Sequence, residues 1–188
     1  MKKLFMRILV VLLSLPVILP GRQEKELDYK FILNSNYYSF RGSFVVTAEF
    51  DCLIHVIYDF EHISKYTSGA KSIEITREGE NWYEVTYIYR KLVIFENQST
   101  WRRTLKRDEG KVVFEMISSK NNLNIMPDVL SSSGYYQVKP VKEGHRVEYF
   151  QECKLKSGIL KNTYINQAKK GAIKFLREFK EYIERTCD

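Results

Sequence analysis

Between Ile159 and Ile183, Ile165, Ala168, Ala172, Phe175, Phe179 and Ile183 recur at helical spacing, while Lys169, Lys170, Lys174, Glu178 and Glu181 fall on other faces. The spacing predicts one amphipathic helix of about seven turns, with a single apolar stripe. Nearly everything between Phe40 and Leu155 reads instead as strands. A long helix with one apolar face must close on something, and here only a sheet is on offer.

The strands are delimited by changes of period and by turn residues. Tyr38 to Thr47 alternates, with Phe40, Gly42, Phe44 and Val46 on one face. Phe50, Leu53, Ile54, Ile57 and Tyr58 then follow helical spacing, with Thr47 placed as N-cap and Glu49 and Asp51 suited to the positive helix start. A second short helix spans about Glu61 to Tyr66 and ends at Ser68-Gly69. Six strands follow: Lys71 to Arg77, Trp82 to Arg90, Leu92 to Leu105, Lys111 to Ser118, Gly134 to Val141 and Arg146 to Leu155. Short turns between consecutive strands favour an antiparallel meander, because parallel pairs need longer crossovers.

At 188 residues the chain is long enough for one domain with a sizeable core. Its aromatic share of 14%, chiefly 13 Tyr and 11 Phe, excludes a disordered chain. Met1 to Arg7 is basic, and Ile8 to Leu19 is apolar apart from Ser14 and Pro16, the pattern of a signal peptide. Residues 1–21 read as that signal peptide, or as an uncleaved signal anchor, and residues 22–36 as a linker to a domain at 37–188. The expected location is secreted or periplasmic, or membrane-tethered if the segment stays attached. Removing Lys2, Lys3 and Arg7 with that segment lowers the net charge from +7 to +4, too mild and scattered for nucleic acid. Cys52, Cys153 and Cys187 show neither CxxC nor zinc-type spacing; an exported chain could form one disulfide, but no pair is selected, and buried or unpaired thiols are the favoured reading.

The element order, with Gly42-Ser43-Phe44-Val45-Val46 leading into Val56-Ile57-Tyr58-Asp59-Phe60, then Ser133-Gly134-Tyr135-Tyr136, then the helix, resembles the START and Bet v 1-like superfamily. Polyketide cyclases and coenzyme Q-binding START-type proteins are nearest in pattern. The resemblance covers about residues 38–186. It implies an α+β helix-grip fold: a curved seven-stranded antiparallel sheet around a long C-terminal helix, with two short helices after the first strand.

In such a fold alternation selects the residues that face inward. These are Phe44, Val46, Ile73, Ile75, Tyr83, Val85, Tyr87, Tyr89, Val93, Phe95, Phe114, Met116, Tyr136, Val138, Val147 and Tyr149, together with the polar Asn97, Ser99, Arg103 and Gln151. The candidate ligand-binding set is Tyr83, Tyr87, Tyr89, Asn97, Arg103, Phe114, Met116, Tyr136, Tyr149 and Gln151. Ala168 and Ala172 join it, because two small residues on the helix leave room opposite the sheet. Two readings of Arg103 stay open: a cation at the polar end of a pocket, beside Gln151, or a strand-end residue reaching solvent. The long connection Ser119 to Ser133, with Leu123, Ile125, Met126, Val129 and Leu130 around Pro127, reads as a lid or as a short element packed on the sheet.

His55, His62 and His145 have no catalytic spacing, and no GxSxG, HExxH, P-loop or GxGxxG occurs. Asp59 reads as a cap or salt-bridge partner. Asn97-Gln98-Ser99 matches a glycosylation acceptor, but an inward asparagine is inaccessible. The expected function is an exported binding or carrier protein for a hydrophobic or amphipathic, lipid-like small molecule, in transient contact with membranes. The alternative is a polyketide cyclase/dehydratase-type enzyme using the same cavity. No cofactor, metal or nucleic acid is expected, and no motif encodes an oligomeric state.

Overall fold

The computed structural model describes residues 27–67, 70–91, 95–121, 127–156, 158 and 160–187. Within them the chain runs β1 (Asp28–Asn34), β2 (Tyr37–Val46), α1 (Phe50–Tyr58), α2 (Phe60–Tyr66), β3 (Ser72–Gly79) and β4 (Trp82–Lys91). It continues as β5 (Phe95–Lys106), β6 (Lys111–Asn121), β7 (Val129–Val141), β8 (Gly144–Leu155) and α3 (Lys161–Thr186). All strands form one antiparallel sheet in the order β1-β2-β8-β7-β6-β5-β4-β3.

The sheet has eight strands, not seven. The extra one is β1, inside the stretch read as a linker, and it pairs along its whole length with β2. β1 is an edge strand whose residues are exposed apart from the half-buried Phe31. Burial on one side of such an edge is weak, so the sequence carries little contrast between its faces. Residues 1–21, read as a signal peptide or anchor, lie outside the described residues, as do Val93, the Phe95 side chain and Leu123, Ile125 and Met126 of the connection read as a lid or packed element.

The helices follow their apolar spacing. α1 buries Leu53, Ile54, Val56 and Ile57, but it starts at Phe50 with Glu49 in the N-cap position and no side-chain cap, so Thr47 does not cap it. Asp59 separates α1 from α2 and caps the latter, accepting from the Glu61 N–H at 2.7 Å. α3 buries Ile165, Leu176, Phe179, Tyr182 and Ile183. Phe179 packs edge-on against Phe44 and Tyr136 of the sheet and against Tyr66 of α2, which joins both short helices to one core. Ile75 keeps the expected face, opposite the buried Val85, but is 41% exposed because β3 is the edge strand and no described strand flanks it on its outer side.

The cysteines realise the single disulfide rather than the favoured unpaired thiols. Cys52 of α1 and Cys187, just beyond α3, form a disulfide across 135 residues, and Cys153 is the free, buried thiol.

Candidate functional site

The concave face of the sheet is assembled row by row from the antiparallel register. Tyr83, Arg103, Phe114, Gly134 and Gln151 are successive partners across β4 to β8, so all five sit on one face in one line. At Gly134 the row has no side chain, and the Phe114 ring occupies the space; a Cβ there would collide with that ring and with the Phe150 carbonyl oxygen. In β6 the register shifts opposite Thr100 and Trp101, leaving Ile117 without a partner and turning both Met116 and Ser119 inward.

This face and α3 bound a half-open cavity of about 290 Å³. Its ring wall comprises Tyr87, Trp101, Phe114, Tyr136, Tyr149 and, from the helix, Phe175. Phe114 stacks on Tyr149 with centroids 5.8 Å apart, and Tyr149 lies 5.2 Å from Phe175. One end holds Arg103 and Thr67. Toward the other, the register places Asn97, Ser119, Val129, Ser132, Cys153 and Tyr38, with Tyr164 of the helix above.

Nine of the sequence-derived residues line this cavity: Tyr87, Tyr89, Asn97, Arg103, Phe114, Met116, Tyr136, Tyr149 and Gln151. Three are placed elsewhere. Tyr83 is buried beside it and donates to the Tyr58 carbonyl at 2.6 Å. Ala168 packs on the Tyr38, Cys153, Leu155 and Ile165 cluster, and Ala172 on the main core. The free volume meets the helix at Tyr164 and Phe175 instead. Trp101 was legible, since it sits between Ser99 and Arg103 at the same alternation, and Tyr38 shares the face of Phe40. Ser132 continues the alternation of Gly134 and Tyr136 but precedes Gly134, where the sequence reading starts the strand.

Arg103 is buried rather than solvated at a strand end, with 5% of its surface exposed. Its Nη2 donates to the Ile57 carbonyl at 2.6 Å, and the guanidinium lies 5.2 Å from the Tyr136 ring centroid. Burial pushes the Tyr136 phenol up to about 12, against the pull of Arg103. Burial raises Tyr66 and Tyr149 well above the ordinary phenol range, and Tyr87 by less. It also raises the Cys153 thiol, against hydrogen bonds with Tyr38 and Ser132. Tyr149 donates to Gln151 Oε1 at 2.7 Å, Gln151 Nε2 to Ser132 Oγ at 3.1 Å, and Ser132 to the Glu152 carbonyl at 2.7 Å. That chain satisfies its own members.

No Asp, Glu or His is among the described lining residues. The histidines pack elsewhere: His62 against the Tyr182 hydroxyl at 2.7 Å and His145 against the Ala48 carbonyl at 2.9 Å. Among the described residues no cluster of His, Cys, Asp and Glu could hold a metal ion, and no helix is long and apolar enough to cross a membrane.

No family model matches the sequence, and no curated protein matches it. Solved structures do. The Zhui aromatase/cyclase of a Streptomyces species superposes with a TM-score of 0.64 at 14% identity, covering 79% of this chain and 94% of that one. This is the START/Bet v 1-like helix-grip fold. Ginseng major latex-like protein 151 gives a TM-score of 0.60 at 11% identity, covering 82% and 99% of the two chains. A STAR-related lipid transfer protein from Xanthomonas axonopodis gives 0.54 at 12%, covering 82% and 98%. At these identities the helix-grip likeness concerns the fold, and the chemistry must be read from the residues present.

Proposed function

We propose that this protein is an exported carrier that holds a hydrophobic or amphipathic, lipid-like small molecule between its sheet and α3. The observation that carries this reading is the composition of the cavity wall. Its surface is dominated by rings, and its titratable lining groups with resolved shifts, Tyr, Cys and Arg, are all moved upward, away from neutrality. Acid–base catalysis needs a group poised near the working pH, and binding does not. The names of the lipid transfer protein and the aromatase/cyclase with this fold agree with a hydrophobic ligand.

Export is supported by two features: the basic and then apolar N-terminus, read as a cleaved signal peptide over 1–21 or as an anchor, and the Cys52–Cys187 disulfide, a bond that persists in oxidising compartments. Transient membrane contact is supported by Leu33 and Leu130, each 52% exposed. Leu33 pairs with Tyr38 and Leu130 adjoins Val129, both residues of one cavity end. The cyclase-type reading has one observation in its favour, the Tyr136 phenol beside Arg103, a pair able to polarise a carbonyl.

Organic extraction of the purified protein followed by mass spectrometry tests the proposal. A stoichiometric copurifying amphiphile is expected. Chemical turnover of a polyketide-like chain that disappears in folded Arg103→Gln protein would replace the carrier reading with the enzyme.

A further inference from the structure

Among the described residues, three buried side-chain polar atoms have no hydrogen-bond partner: Asn97 Oδ1, Arg102 Nε and Arg103 Nε. Arg102 lies on the convex face, where Glu84 accepts from its Nη2 at 2.8 Å, so its charge is balanced. The other two atoms belong to residues that line the cavity. They stand on the same strand and the same face, six residues apart, which at a rise of about 3.3 Å per residue is roughly 20 Å.

Arg103 has no carboxylate paired with it among the described residues. The Ile57 carbonyl and the hydroxyls of Tyr87 and Tyr136 accept hydrogen bonds from it, but these phenols, like Tyr66 and Tyr83 nearby, are neutral at physiological pH and supply no counter-charge. A cation held in a ring-lined interior without a counter-charge is costly, and an anion arriving there recovers that cost. Asn97 poses the opposite demand, because its free carbonyl oxygen seeks a donor. The polar groups between them make no such demand: Ser99 already accepts from Trp101 Nε1 at 2.9 Å, and Gln151 is engaged with Tyr149 and Ser132.

We infer that the cavity selects a two-ended ligand, an elongated monoanion with its carboxylate, or a comparable acidic group, at Arg103 and a hydroxyl or other donor at Asn97. The inference rests on the carrier reading and deepens it. The middle of the ligand is apolar, to match Trp101, Phe114 and Tyr149. A cavity of about 290 Å³ with Arg103 and Asn97 both in its lining has room for one chain of medium length. Neither pole is specific for the fold, since both depend on side chains of this sequence.

Calorimetric titration of the purified protein with ω-hydroxydecanoate, decanoate, decanol and decane tests it. Decanoate should bind about 30-fold tighter than decanol, as expected for a hydrogen bond to a charged group. The terminal hydroxyl should add about fivefold. Asn97→Leu should remove the hydroxyl's gain and leave decanoate binding intact, whereas Arg103→Gln should remove the preference for the acid. If Arg103→Gln fails to fold, the four-ligand series on the unaltered protein decides alone. Decanol binding as tightly as decanoate overturns the two-ended ligand and leaves the carrier standing. Binding by none of the four, decane and decanol included, overturns both.

Discussion

Breaking the Cys52–Cys187 bond should be the most damaging covalent change this domain can suffer. The bond joins the first half of α1 to the residue after α3, closing a loop with a sequence separation of 135. Loop-closure entropy for that length corresponds to about 5 kcal/mol at room temperature, an upper figure for the stabilisation. The effect falls on the unfolded chain. In the folded state the last turns of α3 are already held by Phe179, Tyr182 and Ile183, all buried, so the helix end needs no rearrangement when the bond is cut. For a domain of this size each kcal/mol shifts the midpoint by roughly 2–4 °C, so reduction should lower Tm by roughly 10–20 °C. Urea unfolding of oxidised, reduced and Cys52→Ser protein measures the difference, with Cys153→Ser as the control. Thiol titration of the denatured, unreduced chain should find Cys153 alone reactive. Three reactive thiols, or a stability loss below about 1 kcal/mol on reduction, would refute the reasoning.

Two glycines should differ in their tolerance of a methyl group. Gly134→Ala drives a Cβ into the Phe150 carbonyl oxygen and the Phe114 ring, whereas Gly42→Ala meets chiefly the tip of Leu176, which can turn aside. Gly134→Ala should therefore cost about 2–3 kcal/mol in urea unfolding and Gly42→Ala clearly less; equal costs would contradict the packing described. Alkali should unfold the protein through its buried phenols. Tyr136 and Tyr164 are both raised by burial from 10.0 to about 12, so the stability they contribute is complete below pH 10 and is lost as pH climbs from 10 to 12. Each accounts for about 3 kcal/mol across that window, and an unfolding free energy that stays level to pH 12 would overturn the assignment.

The elements that alternate or repeat cleanly were legible because burial on one face leaves a period in the sequence. β4, β5 and β8 place Tyr87, Asn97, Arg103, Tyr149 and Gln151 around one cavity, as their alternation requires. What escaped lacked such contrast. β1 is an edge strand with little buried on either side, so Tyr29, Phe31 and Leu33 do not stand out from a linker. Ile75 obeys alternation and pairs with the buried Val85, yet stays exposed because β3 ends the sheet, a placement its own neighbours in sequence do not encode. The Cys52–Cys187 contact depends on where α3 ends relative to α1, a tertiary distance that no local spacing encodes. On the helix, residue size was a poor guide to empty space. Ala168 and Ala172 let the helix approach the sheet and its neighbours, and the room opens beside the larger Tyr164 and Phe175.

The two halves of α3 are packed differently. From Leu176 to Ile183 the helix buries four residues, rests on Phe44 and Tyr66, and is tied to α1 through Cys187. From Lys161 to Ile173 only Ile165 is fully buried, and a Cβ on Gly171 would meet nothing within 4 Å. Local opening is cheapest where buried apolar contacts are fewest, so the first half is the part that can lift while the second stays docked. Tyr164 lies in that first half, facing Tyr38 and Cys153 at the Asn97 end of the cavity, whereas Arg103 lies beside Tyr136, whose ring packs on Phe179 of the clamped half. For the two-ended ligand inferred above, entry at the loose end would lead with the acidic group bound for Arg103 and would leave the other pole at Asn97.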